Sequence, residues 1–524
     1  MSECPIQAEA PIVLSPPKEA PSATRRSLVT ATALLFAGCG APPLRTLAAY
    51  EMPPAAPREF RGAWVASVAN IDWPSAPGLP EAQLRAEIDA IVERAAALGL
   101  NALVLQVRPA ADALYPSQLE PASEYVSGTQ GLAPNSIDLL GLWVAAAHRR
   151  GIELHAWFNP FRARHPSARS PLAADHIALR QPGWAKAYGD ALWLDPGEPG
   201  AVAHTLAVVE DVVRRYDIDG VHLDDYFYPY PVKAPDGSEL AFPDDRSHAR
   251  SGSKLARDDW RRDNVDRFVR ALYQRVHGIK PWLKVGISPF ALPRRERRPA
   301  GIEGFDPHAK LYADAEHWLQ QGWLDYVAPQ LYWPMAQRAQ AFDVLLEHWA
   351  ATNTHPQRRH LWPGLFTSRV ALAPNPWPAD EILRQLAHLR AQAARAGGHI
   401  HFSMRALMDD RGGLATRLLQ ARPEPALVPA CPWLGASVPP PPRLELRPGG
   451  IAVQSNEAGV RWLVVWQRRG GVWRMSTHRR IEAIPLPRSD AGDAQGAPLE
   501  AVVASSLGAN GVESERIALR LPAA

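Results

Sequence analysis

From about residue 60 onward, short apolar runs alternate with longer stretches whose apolar positions recur every three to four residues. "RGAWVASV" predicts a strand. It is followed by "LPEAQLRAEIDAIVERAAALG", where Leu84, Ile88, Ile91, Ala95 and Leu98 share one helical face and Gly99 supplies the stop. The unit then repeats. "NALVLQVRP" precedes a loop and the helix "SIDLLGLWVAAAHRRG", with Ser136 as its cap and Gly151 at its end. "IELHAWFN" is a third strand, and a helix over 200–216 leads into "IDGVHLD". The amphipathic "DDWRRDNVDRFVRALYQRVHG" leads into "LKVGISPF", and a helix around 311–321 into "DYVAPQLYW". The strands "RHLWPGLF" and "HIHFSM" flank a helix at 379–396. Eight strands alternating with helices predict an α/β fold, a TIM-type (β/α)8 barrel over residues 58–420. The alternative is an open doubly wound sheet, but no Gly-rich phosphate turn follows the first strand.

Beyond the barrel, "RPEPALVPACPWLGASVPPPPRLEL" is too stiff and too poor in donors for a domain interior, so 421–442 reads as a linker. "GIAVQSN", "VRWLVVWQRR", "VWRMSTH", "LEAVVASSLG" and "RIALRLP" are short β-type runs between turns, which predicts a β-sandwich over 443–524. It resembles a fibronectin type III module, and Ig-like modules of other topology read the same way. It carries no catalytic constellation, which leaves it the role of a spacer or of a contact with another partner.

Residues 1–57 read as a targeting segment and linker. "TRRSLVTATALLFAGCGAPPL" joins Arg25 and Arg26 to an apolar run, Leu28 to Ala37, that is too short to span a bilayer. The arginine pair resembles a Tat export signal. "LFAGC" resembles a bacterial lipobox, with Phe36 in place of the usual leucine and Cys39 as the lipidated first residue of the mature chain. Gly40, rather than an aspartate, follows that cysteine, which by resemblance implies sorting to the periplasmic face of the outer membrane. An uncleaved amphipathic tail is the alternative.

Strand alternation separates the faces of each barrel strand. In "GVHLDD", Val221 and Leu223 point to the helices, whereas His222 and Asp224 point to the barrel axis, and Asp225 lies past the strand end. By the same rule Glu153, His155, Trp157 and Asn159 share the inner face of their strand. Gln106 and Arg108 share another, as do Gln330 with Tyr332 and His399 with His401. Any one of these has a structural explanation as a cap, a counter-ion or a satisfied buried network. Five strands turning polar at one end are more economically explained by a ligand pocket. Catalytic groups of such barrels sit at the C-terminal strand ends.

Composition narrows the chemistry. With 57 basic and 54 acidic residues the net charge is +3, which excludes the polyanion electrostatics of nucleic-acid binding. Of three cysteines, Cys4 and Cys39 fall in the export segment and Cys431 is left alone, so no disulfide framework or cysteine metal site is available. The 18 tryptophans and 12 tyrosines suit a sugar ligand as well as a core. Trp64, Trp73, Trp157, Tyr226, Phe227, Tyr228, Tyr230, Tyr332 and Trp333 are the rings expected beside the acids. Glycoside hydrolysis takes two carboxyl groups, about 5 to 5.5 Å apart for retention and about 6.5 to 9.5 Å for inversion. Asp224 is the first. The second is Asp225 if the backbone turns both acids to one side, and otherwise Glu153 or Asp112. Mutual repulsion raises one pKa of such a pair, as a general acid requires.

"EFRGAWVASVANIDWPS", "NALVLQVRPAADALYPS", "EYVSGTQG", "GIELHAWFNPFR", "YDIDGVHLDDYFYPYP", "DWRRDNV", "GISPF" and "GWLDYVAPQLYW" resemble, in order over about 58–405, the glycosyl-hydrolase-like 10 family. Among its members is a divisome-localised lipoprotein that cleaves peptidoglycan strands stripped of stem peptides. The resemblance implies a barrel hydrolase of cell-wall glycan, without a cofactor, with glycan strands and division-machinery proteins as partners and the membrane reached through a lipid anchor alone. It does not by itself assign the acids. "DGVHLD" also resembles the fourth-strand segment of the α-amylase superfamily, whose nucleophile falls on Asp224, but the matching fifth-strand acid is missing from "GISPF". Against the chitinase DxxDxDxE pattern, Asp219 and Asp224 match while His222 and Tyr226 replace the second acid and the catalytic glutamate, which disfavours that mechanism. Two rivals stay open: a non-catalytic glycan-binding barrel, and a metal-dependent polysaccharide hydrolase or deacetylase using His155, His222 and Asp224. No HxxH-like spacing supports the second.

Overall fold

A computed structural model describes residues 51–132, 137–421, 424–435, 437–447, 450–455, 457, 459–479, 483–485 and 498–521. Arg25, Arg26, Cys39 and Ser136 lie outside these residues.

The barrel strands are β1 (Phe60–Val65), β2 (Ala102–Arg108), β3 (Glu153–Phe158), β4 (Gly220–Leu223), β5 (Lys284–Ile287), β6 (Tyr326–Val327), β7 (His360–Leu361 and Gly364–Leu365) and β8 (Gly398–His401). All neighbouring pairs are parallel. The ring closes through β7, which Pro363 divides. Its first half pairs with β6 and its second half with β8, so one extended run carries both seams. Around the ring pack α1 (Glu81–Ala97), α2 (Leu139–Arg149), α3 (Pro199–Arg215), α4 (Arg257–Ile279), α5 (Ala315–Gln321), α6 (Phe342–Thr352), α7 (Ala379–Ala391) and α8 (Leu414–Gln420). Helix α2 is capped by Asp138, whose carboxylate accepts from Gly141 N at 3.0 Å. Helix α6 is additional to the predicted helices, and Phe342, Leu345, Leu346 and Trp349 give it a buried stripe.

Two apolar layers follow from the alternation. Phe60, Trp64, Val104, Trp157, Tyr326, Trp362 and Ile400 fill the lumen, while Val65, Leu103, Leu105, Leu154, Val221 and Leu223 join the layer between strands and helices. The register of β1 with β8 corrects one expectation. Gly62 pairs with Ile400, whose side chain lies in the lumen, so His399 and His401 point outward. His399 stands 3.5 Å from Glu59, and His401 Nδ1 is 2.7 Å from the Thr367 hydroxyl.

The Pro-rich segment is not a free linker. Ala426, Leu427, Val428, Cys431 and Leu434 are buried against the N-terminal end of the barrel. Leu427 is bridged in parallel to Arg58, and the Trp433 indole donates to Asp325 at 2.7 Å. The apolar positions among the prolines form a floor for the barrel. Beyond it, β9 (Arg443–Arg447), β10 (Gly450–Gln454) and β13 (Ala483–Pro485) make one antiparallel sheet. β11 (Val460–Arg469), β12 (Val472–His478), β14 (Leu499–Gly508) and β15 (Ile517–Arg520) make another, in the order β12-β11-β14-β15. Ile451, Val453, Leu463, Val465, Val502, Ala504 and Leu519 pack together between the sheets.

Candidate active site

Strand β4 is four residues long and ends at Leu223, which puts Asp224 at the C-terminal mouth of the barrel on the lumen side. Three donors meet its carboxyl. Asn159 Nδ2 at the end of β3 reaches Oδ2 at 3.3 Å, Gln330 Nε2 beyond β6 reaches Oδ1 at 3.3 Å, and the Asp225 amide reaches Oδ1 at 2.9 Å. These favour the charged form, yet burial outweighs them and holds the Asp224 carboxyl above its ordinary range.

Asp225 turns the other way. Its carboxyl is 2% exposed, accepts from the Tyr230 hydroxyl, and borders a small void lined by Phe227, Pro289, Phe290 and Trp349. Burial and the neighbouring charge of Asp224 hold it well above the carboxylate range, further than Asp224 itself. The Asp225 amide ties the two residues together, with the Asp224 carboxyl in front and the Asp225 carboxyl behind.

Below this pair runs an ordered chain of hydrogen bonds along the barrel axis. The Trp64 indole N–H, which can only donate, lies 3.1 Å from His222 Nε2, so that nitrogen accepts and His222 carries its proton on Nδ1. Nδ1–H then donates to the Tyr326 hydroxyl at 3.0 Å, which donates to His155 Nδ1 at 2.8 Å. His155 Nε2–H donates to Glu153 at 3.1 Å, and Lys284 Nζ donates to Glu153 at 2.9 Å. Burial keeps the His222 imidazole well below its usual range, in agreement with its neutral role. Two glycines make room for these rings. A Cβ on Gly220 would lie 2.5 Å from His155 Nδ1, and one on Gly286 would lie 2.0 Å from the Tyr326 ring.

The expected site residues divide accordingly. Asn159, Gln330, Asp224 and Asp225 come together, bordered by half-buried Tyr226, Tyr230, Tyr332 and Trp333. Tyr332 stacks on Phe366 with centroids 4.8 Å apart. Trp157 lies one layer down, its indole nitrogen without a partner among the described residues. Trp64, His155 and His222 belong to the axial chain and reach Asp224 through Ser288, whose Oγ is 3.0 Å from His222 Nε2 and whose carbonyl accepts from Gln330 at 2.9 Å. Arg108 is fully buried on Glu120 and donates to the Asn159 carbonyl at 2.6 Å, so it sets the end of β3.

Several expectations are corrected. Glu153 opens β3 and so lies at the far end of the barrel from Asp224, neutralised by Lys284. Asp112 is 1% exposed and accepts from Ala110 N at 2.9 Å within its own loop, and burial raises it to about 6. Tyr228, Phe227 and Trp73 face the strand and helix layer, not the cleft. Tyr228 packs on Phe242 and Tyr312, Phe227 on Trp318, and Trp73 on Trp143. Asp219, matched to the chitinase pattern, is held by His148, Leu154 N and Arg461 at the start of β4. His155, His222 and Asp224 do not converge as a ligand set, because both imidazoles are taken up by the Tyr326 hydroxyl.

Ser288, Tyr326, Arg162 and Asp72 join the site without standing out in the sequence pattern. Tyr326 follows from the alternation that gave Gln330, since 326, 328 and 330 share a face. Asp72 accepts from Ala66 N, Ser403 Oγ and Arg405 N at 2.8, 2.7 and 2.6 Å, tying the loop after β1 to the loop after β8. It lies in the quoted "NIDWPS".

The family model described as glycosyl hydrolase-like 10 matches residues 59–379. The chain belongs to this family. Glycosyl hydrolase YngK of Bacillus subtilis (strain 168) is 38% identical over 400 residues, 74% of this chain and 76% of that protein. Glycosyl hydrolase DigH of Escherichia coli (strain K12) is 33% identical over 373 residues, 66% of this chain and 83% of that protein. Among solved structures, the PgaB (BpsB) glycoside hydrolase domain from Bordetella bronchiseptica is similar with a TM-score of 0.43 at 15% identity, over 69% of this chain and 98% of that one. This member of glycosyl hydrolase-like 10 is a glycosyl hydrolase, and its matched segment ends within α7, short of the floor and the sandwich.

Proposed function

We propose that this glycosyl hydrolase cleaves glycosidic bonds in the glycan strands of peptidoglycan freed of stem peptides, with Asp224 as the group that exchanges a proton with the glycosidic oxygen. The observation that carries the reading is Asp224 at the end of β4, held by Asn159, Gln330 and the Asp225 amide beside half-buried rings suited to stacking on sugar faces. Asp224 hands its proton to the glycosidic oxygen as the bond to the anomeric carbon breaks. The carboxylate left behind is stabilised by Asn159, Gln330 and the Asp225 amide. Water supplies the hydroxyl to the anomeric carbon, and its proton restores Asp224. The Asp225 carboxyl is turned away onto Tyr230, so Asp225 does not stand across the cleft from Asp224 as the second acid of a separated pair does.

The twin arginines and Cys39 support export and lipid anchoring at the periplasmic face of the outer membrane, where such strands lie. Mass spectrometry of the products from purified peptide-free strands tests the activity. Reducing amino-sugar ends are expected with the wild type and absent with Asp224→Asn, which still binds strands. Strands bound and never cut by the wild type would instead establish a glycan-binding barrel.

A further inference from the structure

Arg162 lies just beyond β3 at the mouth of the barrel and is 6% exposed. Its Nε donates to the Pro109 carbonyl at 2.8 Å and its Nη2 to Asn159 Oδ1 at 2.9 Å. The guanidinium lies 5.4 Å from the ring centroid of Tyr226, itself half-buried. Nη1 has no hydrogen-bond partner among the described residues, and no carboxylate among them stands within 4.0 Å of the group. Other arginines buried to this degree are neutralised, Arg61 by Glu59, Arg108 by Glu120 and Arg261 by Asp244. Arg359 shares the lack of an ion pair, but it lies over Trp433 at the floor of the barrel, away from the cleft. The charge of Arg162 acts on Asp224 through the shared Asn159, without a direct ion pair. Its Nη1 edge meets no carboxylate among the described residues, and a guanidinium with a free edge is shaped to take one, which leaves that edge to an anion of the ligand. Asn159 bonds both Arg162 and Asp224, so this anion sits one amide away from the acid that acts on the glycosidic bond.

We propose that Arg162 binds the free lactyl carboxylate of N-acetylmuramic acid and thereby selects strands without stem peptides. The inference rests on peptidoglycan glycan as the substrate. In a peptide-bearing strand the same lactyl group is an amide, which carries no charge and adds a chain where the carboxylate would dock. Neutral glycans have no such group at all.

The test compares peptide-free strands with the same strands after carbodiimide coupling of the lactyl carboxyl to methylamine, for wild type, Arg162→Gln and Arg162→Lys. Product release measured by mass spectrometry yields kcat and KM. The wild type is expected to favour the free carboxylate at least tenfold in kcat/KM, mostly through KM. Arg162→Gln should cut both substrates alike, and Arg162→Lys should keep part of the preference. If Arg162 served only to tune Asp224, Arg162→Gln would shift the pH profile on both substrates and leave their ratio intact, which overturns the proposal. Equal cleavage of both substrates by the wild type also overturns it, needs no variant, and leaves the peptidoglycan reading standing. A wild type that cuts neither removes that reading and this inference together.

Discussion

Arg461, the second residue of β11 in the sandwich, holds Oδ1 of Asp219, the residue before β4 of the barrel, through Nη2 at 2.5 Å and Nε at 3.0 Å. Oδ2 of the same carboxylate accepts from Leu154 N and His148 Nε2, both at 2.8 Å. Arg461 also pairs with Asp217, which Arg479 engages as well. The strand that presents Asp224 is thus anchored at its other end by a cation from the C-terminal domain.

Arg461→Met is expected to destabilise the whole chain by about 3 to 5 kcal/mol, because it leaves Asp219 buried with its main counter-charge gone. Urea unfolding monitored by tryptophan fluorescence measures it. Adding Asp219→Asn should recover part of the loss, since the stranded charge is then removed. An Arg461→Met protein as stable as the wild type would show that the sandwich is only appended.

Acid titration supplies a second outcome. Arg108 and His204 hold Glu120 at about 2, down from the ordinary 4.5, against the opposing effect of burial. With the folded value depressed, the unfolded chain binds more protons between these values, so the contribution is present above pH 4.5 and lost as pH falls toward 2. The shift corresponds to a contribution on the order of 3 kcal/mol. Glu120→Gln should accordingly be less stable than the wild type at pH 7, with the difference shrinking toward zero near pH 2. A difference that stays constant across this range would place the stabilisation elsewhere.

Much of this was legible beforehand. Period-two alternation placed His155, Trp157, Asn159 and His222 on the lumen side, and the strand end placed Asp224 at the mouth, because pleating is local and Leu223 ends an apolar run. Alternation failed at His399 and His401, where both faces of β8 are buried and only pairing with β1 decides which face is inner. It failed for the aromatic run 226–230 for a related reason. Past the strand end no period applies, and Phe227 and Tyr228 fall into the outer layer while Tyr226 and Tyr230 stay at the cleft. Ion pairs between distant elements, Glu153 with Lys284 or Asp219 with Arg461, leave no trace in a local pattern.

The unequal carboxyls predict unequal variants. Asp224→Asn removes the group that exchanges the proton and should lower kcat about 10²- to 10⁴-fold. Burial biases Asp225 toward its neutral form and its carboxyl is turned onto Tyr230, so Asp225→Asn is expected to cost far less. Asparagine does not titrate, so any limb that belongs to Asp225 disappears from the pH profile of kcat. Steady-state rates on peptide-free strands from pH 4 to 9 measure both effects. Equal losses in the two variants would mean that Asp225, too, meets the substrate.

The axial chain has only one consistent order of protons. Trp64 donates to His222 Nε2, so His222 must carry hydrogen on Nδ1, and with the Tyr326 hydroxyl donating onward His155 carries it on Nε2. Nitrogen-15 imidazole spectra assigned to these two rings should show the proton on Nδ1 of His222 and on Nε2 of His155. Tyr326→Phe removes the hydroxyl that accepts from one ring and donates to the other, leaving two buried ring nitrogens without partners at a cost of about 1 to 3 kcal/mol each. Both tautomers should then become mixed, and Ser288 and Gln330 should hold Asp224 less well, with kcat falling more than stability alone accounts for. Two rings of the same tautomer in the wild type, or spectra unchanged in Tyr326→Phe, would break the chain between Trp64 and Glu153.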